Sequence, residues 1–286
     1  MRIELRGIRK RYGKVVALDG IDLDVPSGAR VALIGANASG KTTLTRVVMG
    51  LIRHEGWLTL GGMTAVPRPP GLAAQIAYVP QLAPPWAAPV GDLVTAVAAL
   101  RGLPVARFEE ASARMGLELG SIAHRPFRGL SGGTRQKLMI ALALAAPAAL
   151  AILDEPTASL DAASRQRFFE IAQDAWAGAT VLLCSHRLDE LRTLVDHVVL
   201  LSEGRVAWSG PADRYLAEHL TVILELRVAD GDDRWLREHG FDRAIAGWWR
   251  RPVDAAEKLT IMPAALAALG NRIRDLAIHD AEKLDA

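Results

Sequence analysis

Apolar and polar residues alternate in steps of two at the start of the chain, and the rhythm then shifts. Ile3-Glu-Leu5 and Ile21-Asp-Leu-Asp-Val25 have the period of half-buried strands. Arg30-Val-Ala-Leu-Ile34, Ala149-Leu-Ala-Ile-Leu153 and Thr180-Val-Leu-Leu-Cys184 are short apolar runs bounded by turn or polar residues. That pattern predicts strands buried on both faces of a parallel sheet. Gly56–Leu60 and Gln75–Val79 predict further strands, and Val198–Leu201 with Gly204–Trp208 predicts a hairpin. Helical stretches are expected over Thr42–Met49, Val90–Leu100, Arg107–Gly116 and Arg165–Ala177. Residues from about 82 to 129 read as a helical insert broken by Pro and Gly.

Near Tyr215–His219 the pattern changes again. A strand (Val222–Val228), a helix (Asp232–His239) and a strand (Ala244–Arg251) are followed by a strand (Lys258–Met262), a helix (Ala264–Leu269) and a strand (Ile273–His279). The order βαββαβ is that of a ferredoxin-like split unit. The expected organisation is an α/β domain over 1–218 and a small α+β domain over 219–286, with no internal repeat. Trp235, Trp248 and Trp249 are expected to pack that small core rather than to form a ligand cage.

Between the predicted strand at Arg30–Ile34 and the helix that follows lies Gly35-Ala-Asn37-Ala-Ser39-Gly40-Lys41-Thr42-Thr43. It fits G-x-x-x-x-G-K-[ST], the phosphate-binding loop of P-loop nucleotidases. Strand, glycine loop and helix direct successive N–H groups and the positive end of a helix dipole at an anion. Lys41 would reach the β- and γ-phosphates of a nucleotide, and the Thr42 hydroxyl would hold Mg²⁺. The apolar strand at Ala149–Leu153 ends in Asp154-Glu155-Pro156. Carboxylates at the carboxyl end of such a strand face the crevice where ligands bind, and solvation explains them poorly. Asp154 is therefore a candidate Mg²⁺ ligand.

A second glycine turn, Leu130-Ser131-Gly132-Gly133-Thr-Arg-Gln136, opens another predicted helix. Together with the P-loop it resembles the signature of the ABC (ATP-binding cassette) ATPases, from Met1 to about Gly210. The resemblance implies a RecA-like core with an antiparallel β subdomain and an α-helical subdomain. It implies that Ser131, Gly132, Gly133 and Gln136 serve the ATP of a neighbouring protomer, so that the chain acts as a dimer. Thr134 departs from the Gln most often found in the family at its position. On the same resemblance Glu155 is the catalytic carboxylate that polarises water. Gln81, after Tyr78-Val-Pro80, is the glutamine that reaches Mg²⁺ and that water. Asp161 in Ser159-Leu-Asp161 is the D-loop acid, and His186 is the switch histidine at the γ-phosphate. Tyr12 takes the place of the aromatic that stacks on adenine, with a core tyrosine as the competing reading.

Composition narrows the partners. With Lys+Arg 34 against Asp+Glu 32 the net charge is +2, and the signs are interspersed, so no footprint for nucleic acid is present. The one cysteine, Cys184, lies in an apolar run and excludes a disulfide framework. No signal peptide is seen after Met1, and the longest uncharged apolar stretch, Leu138–Leu153, is broken by Pro147. The expected protein is thus the ATP-hydrolysing subunit of an ABC transporter, with ATP and Mg²⁺ as cofactors. It would act as a homodimer on an integral-membrane permease at the cytoplasmic face of the cell membrane. The alternative, a soluble ABC ATPase working on nucleic acid or ribosomes, lacks a tandem P-loop, a long coiled coil and a basic tail. Ala98–Pro104 and the βαββαβ tail resemble exporter-type motors. The run Cys184–Leu191 resembles motors of nitrous oxide reductase maturation, which would mean copper-centre assembly.

Overall fold

The computed structural model describes residues 1–64, 69, 71–185, 187–219 and 222–280. They form two compact units, Met1–Gly210 and Pro211–Ala286, where the sequence pattern set the division after 218.

In the first unit, β1 (Ile3–Tyr12) and β2 (Val15–Val25) make a long hairpin, joined by β4 (Glu55–Leu60) and β5 (Met63–Thr64) in the order β2-β1-β4-β5. Both hairpin strands run well beyond the alternating stretches that announced them. The reason is the bulges: register shifts between Leu5 and Ile8 move the buried positions to Ile3, Leu5 and Ile8, which breaks the period of two.

The second sheet of this unit holds β3 (Arg30–Ile34), β6 (Ile76–Val79), β7 (Leu150–Asp154), β8 (Thr180–Cys184), β9 (His197–Ser202) and β10 (Arg205–Pro211), in the order β10-β9-β3-β8-β7-β6. Its register aligns Leu33 with Cys184, Cys184 with Asp154, and Leu153 with Val79. The carboxyl ends of β3, β6, β7 and β8 therefore lie along one edge. Helix α1 (Lys41–Val48) follows β3 and α6 (Ala162–Ala175) follows β7; α7 (Leu188–Leu194), which the hydrophobic pattern did not announce, follows β8. All residues of β7 and β8 are buried, as strands sandwiched between layers must be.

The helical insert comprises α2 (Val90–Arg101), α3 (Val105–Arg114) and α4 (Leu119–Ile122), and α5 (Gly132–Leu144) returns the chain to the sheet. Phe108, Met115 and Phe127 from the insert share a core with Leu138 and Leu142 of α5. Arg101 donates to the carbonyls of Ala74 (2.7 Å) and Ile76 (2.8 Å), which ties α2 to the start of β6.

The second unit contains α8 (Ala212–His219), β11 (Val222–Val228), α9 (Arg234–Glu238), β12 (Asp242–Arg243), β13 (Trp248–Val253), α10 (Ala255–Leu269) and β14 (Ile273–Asp280). After α8 the order is βαββαβ, in an antiparallel sheet β12-β13-β11-β14. Two of its elements differ from the sequence reading. The strand expected over Ala244–Arg251 is a turn followed by β13, and Ala246 takes φ 58° within that turn. The strand expected over Lys258–Met262 is helix. Asp254 and Glu257 form a reciprocal capping box that starts α10 upstream, and Pro263 sits inside the helix rather than at its first turn. Trp249 is 4% exposed and packs in this core, while Trp235 stacks on the ring of His239 at 4.0 Å.

Candidate nucleotide site

The loop after β3 is shaped by backbone conformations that few residues adopt. Gly35 (φ 142°), Ala38 (φ 67°) and Gly40 (φ 109°) have positive φ, which turns consecutive N–H groups inward. A Cβ on Gly35 would collide with the Leu201 carbonyl oxygen, and one on Gly40 would stand 2.6 Å from that of Ala17. Glycine at both positions is a matter of space as well as torsion. Gly40 caps α1, whose first turn carries no acidic residue, so the positive helix end is left for an external anion. Lys41 folds its ammonium back onto the loop, donating to the carbonyls of Gly35 (2.5 Å) and Ala36 (3.0 Å).

A cavity of about 270 Å³ opens over this loop. Asn37, Ser39, Gly40, Lys41, Thr42 and Thr43 form its floor, and Gln81, Asp154 and Glu155 reach it from the ends of β6 and β7. Tyr12, Val15, Val16 and Ala17 enter from the β1–β2 hairpin. Tyr12 is 45% exposed, so it is no core tyrosine, and the Lys10 ammonium lies 5.0 Å from its ring centre.

Glu155 adopts φ 48°, a conformation that costs a residue with a Cβ ~1 kcal/mol or more. It is held there by its N–H bond to the Cys184 carbonyl of β8, at 2.8 Å. The turn lets consecutive carboxylates at the end of one strand share the cavity. Burial, and then the neighbouring Glu155, push the Asp154 carboxyl above its ordinary range; the Thr42 hydroxyl, Arg46 and Lys41 oppose the shift. Hydroxyl, carboxylate and the Gln81 amide are hard oxygen donors, and together with poorly solvated negative charge they suit Mg²⁺. Burial raises the Cys184 thiol well above its ordinary value, as the apolar run implied.

The remaining expected residues lie elsewhere. Ser131 caps α5, its Oγ accepting from the Thr134 N–H at 3.2 Å and lying 2.7 Å from the Thr134 Oγ1. Ser131 and Gly132 are exposed, and neither lines the cavity. Gln136 points inward instead: it is 2% exposed, and its amide donates to the carbonyls of Pro80 (3.1 Å) and Pro156 (2.9 Å). Its side chain is thus held within its own chain, away from the face that Ser131 and Gly132 present. Asp161 caps α6, accepting from the Ser164 N–H (2.7 Å), and that bond leads the causes that lower its carboxyl pKa. His186 lies outside the described residues.

Val15, Val16 and Ala17 were not singled out in the sequence, and neither was Gly204. Gly204 joins the hairpin sheet to the P-loop: its carbonyl accepts from the Asp19 N–H (2.8 Å), and its N–H donates to the Ser39 carbonyl (3.1 Å). Only its place in the predicted β9–β10 turn hinted at it.

A family model described as ABC transporter matches residues 18–158. The chain is similar to the daunorubicin/doxorubicin resistance ATP-binding protein DrrA of Streptomyces peucetius, at 32% identity over 81% of this chain and 72% of that protein. It is 35% identical to the aliphatic sulfonates import ATP-binding protein SsuB of Mycobacterium sp. (strain MCS), over 74% of this chain and 84% of the relative. A solved structure of an ATP-binding subunit of an ABC transporter superposes with TM-score 0.68 at 27% identity, covering 76% of this chain and 93% of the other.

Proposed function

The chain belongs to the ABC transporter family, among its ATP-binding proteins, and from that premise we propose that two copies share their ATP sites and drive a separate membrane permease. As a member it is an ATPase. One observation carries the shared-site reading. A single cavity collects Lys41, Thr42, Gln81, Asp154 and Glu155, while Ser131 and Gly132 stand exposed outside it.

The inward N–H groups of the loop and Lys41 bind the β- and γ-phosphates, and the ring of Tyr12 offers a face to adenine. Stacking favours purines without reading a base edge, so selection of ATP over GTP is modest. Thr42, Asp154 and Gln81 would hold Mg²⁺, which would supply neutralisation of the negative charge of the phosphates. Glu155 orients the attacking water and accepts its proton. Ser131 and Gly132 of the partner protomer close the site from the γ-phosphate side with a hydroxyl and an amide. His186 and Asp161 keep the roles their motifs imply, at the γ-phosphate and across the dimer.

No helix among the described residues is long and apolar enough to cross a membrane; in this reading the span belongs to the permease. Leu82 (79% exposed) directly follows Gln81, and Leu100 (84%) is also uncovered on the helical insert; both support a permease contact there. On this reading the subunit works at the cytoplasmic face of the membrane, where the permease holds it. Residues 219–286 are read here as an accessory unit outside the chemistry, a reading supported by a cavity lining that falls within Met1–Gly210 among the described residues.

Relatives named for import and for drug resistance are both similar to this chain, so transport direction is left to the permease in this reading. A specialisation in copper-centre assembly is supported only by the run Cys184–Leu191. Among the described residues no group of three or more His, Cys, Asp or Glu is placed to hold a metal ion.

A mixing experiment tests the shared site. Ser131→Arg and Lys41→Ala proteins are each expected to be inactive, and their mixture to regain part of the ATPase rate, because one of the two composite sites is intact. Verified mixed dimers without recovery would refute the reading.

A further inference from the structure

Gln136 occupies a junction that its motif does not reveal. The two carbonyls its amide holds belong to Pro80 and Pro156, the residue before Gln81 and the residue after Glu155. These lie on loops leaving different strands, β6 and β7, and a proline in each lacks an N–H of its own. Both acceptors are bound to one planar amide nitrogen, which fixes the loops against each other and against α5. The same helix makes two more ties to the stretch beyond Glu155. Lys137 pairs with Asp161 at 3.7 Å, and the backbone of Gly133 lies so near the Ser159 carbonyl that a Cβ would stand 3.0 Å from its oxygen. Helix α5 is capped by Ser131, the residue that the shared-site reading gives to the partner's nucleotide.

We propose that Gln136 is a positioning residue that couples the two nucleotide sites of the dimer. It sets the backbone frames of Gln81 and Glu155, which serve the chain's own ATP, relative to the helix that presents Ser131 to the other ATP. A shift of α5 on engaging the second nucleotide is passed by this one side chain to the water-orienting groups at the first. The inference rests on the shared-site reading above. Methionine at this position keeps the length of glutamine but leaves two carbonyls in the interior without their donor.

The test uses full-length protein. Gln136→Met is expected to keep nucleotide affinity within about twofold, since Lys41 and the loop are untouched, and to lower kcat about tenfold or more. Mixed dimers then separate coupling from local support. With Lys41→Ala in one protomer, only the other protomer's P-loop works, and Gln136→Met is introduced either in the protomer owning that P-loop or in the one supplying Ser131. Coupling requires turnover to fall in both placements. A fall in the first placement alone overturns the coupling and leaves a local prop; wild-type turnover in both overturns the proposal altogether. Should Gln136→Met not fold, Gln136→His, which retains a ring N–H, takes the same two placements under the same rule. The Ser131→Arg with Lys41→Ala mixture checks the premise independently. Failure to recover there removes the shared site, whereas recovery there with no effect of Gln136→Met removes Gln136 alone.

Discussion

The loop after β3 and the turn before α5 are both glycine-rich, and both open a helix, yet the fold treats them in opposite ways. The first is enclosed. Its torsions are locked by close approach to Leu201 and Ala17, its lysine is held by two carbonyls, and a hairpin and two strand ends wall its cavity. The second is exposed, and its serine bonds to Thr134 of its own helix. A phosphate site needs preorganised donors, and the enclosed loop holds them within one chain; the exposed turn satisfies its serine locally.

The largest expected effect separates these two regions directly. Lys41→Ala is expected to weaken ATP binding by about 100-fold or more, because the main cation facing the β- and γ-phosphates is gone. Ser131→Arg is expected to leave single-protomer affinity within about twofold while abolishing turnover. Equilibrium binding of a fluorescent ATP analogue decides this, and equal loss in both variants would erase the distinction between enclosed and open loops.

Glu155→Gln sharpens the comparison at the level of chemistry. It keeps the side-chain size in the left-handed turn and removes the proton acceptor, so kcat is expected to fall by roughly 10²–10⁴-fold with binding retained. The enclosed half then works while turnover stops, and ATP should trap a dimer visible by gel filtration. Turnover at the wild-type rate would remove Glu155 from its role.

Asp154→Asn is a smaller effect with a definite sign. The folded carboxyl has a raised pKa because burial and Glu155 disfavour its charge. Its contribution to stability is therefore complete below the ordinary carboxylate pKa and is lost as pH rises through the raised folded value. In metal-free protein at neutral pH the Asn variant is expected to be more stable by ~1 kcal/mol, with the advantage vanishing toward acid pH and Mg²⁺-dependent turnover lost. Thermal melts of both proteins from acid to neutral pH measure it, and a wild-type protein that melts higher throughout would contradict the assignment. The smallest effect concerns Thr134→Gln. Freeing the Ser131 hydroxyl from the Thr134 hydroxyl is expected to raise kcat by about twofold at unchanged affinity, as seen in steady-state ATPase rates.

The sequence by itself determined the chemistry-bearing strands of the first unit. Arg30–Ile34, Ala149–Asp154 and Thr180–Cys184 are buried on both faces, and a strand with no solvent face must be written almost wholly in apolar residues. Lys41 and Thr42 were legible from the glycine pattern of the loop that opens α1, and Asp154 and Glu155 because solvation explains carboxylates ending such a strand poorly. The tertiary structure decided what depends on neighbours distant in sequence. The length of the β1–β2 hairpin was hidden by bulges, and the start of α10 by a proline that a capping box overrides. Gly204 serves the P-loop only because Asp19 and Ser39 meet at its backbone. Gln136 reads as one more polar residue of a glycine-rich motif until the fold brings Pro80 and Pro156 to its amide. Local pattern encodes how deeply a segment is buried, whereas a hydrogen bond across many residues is written in no single segment and exists only once the chain has closed on itself.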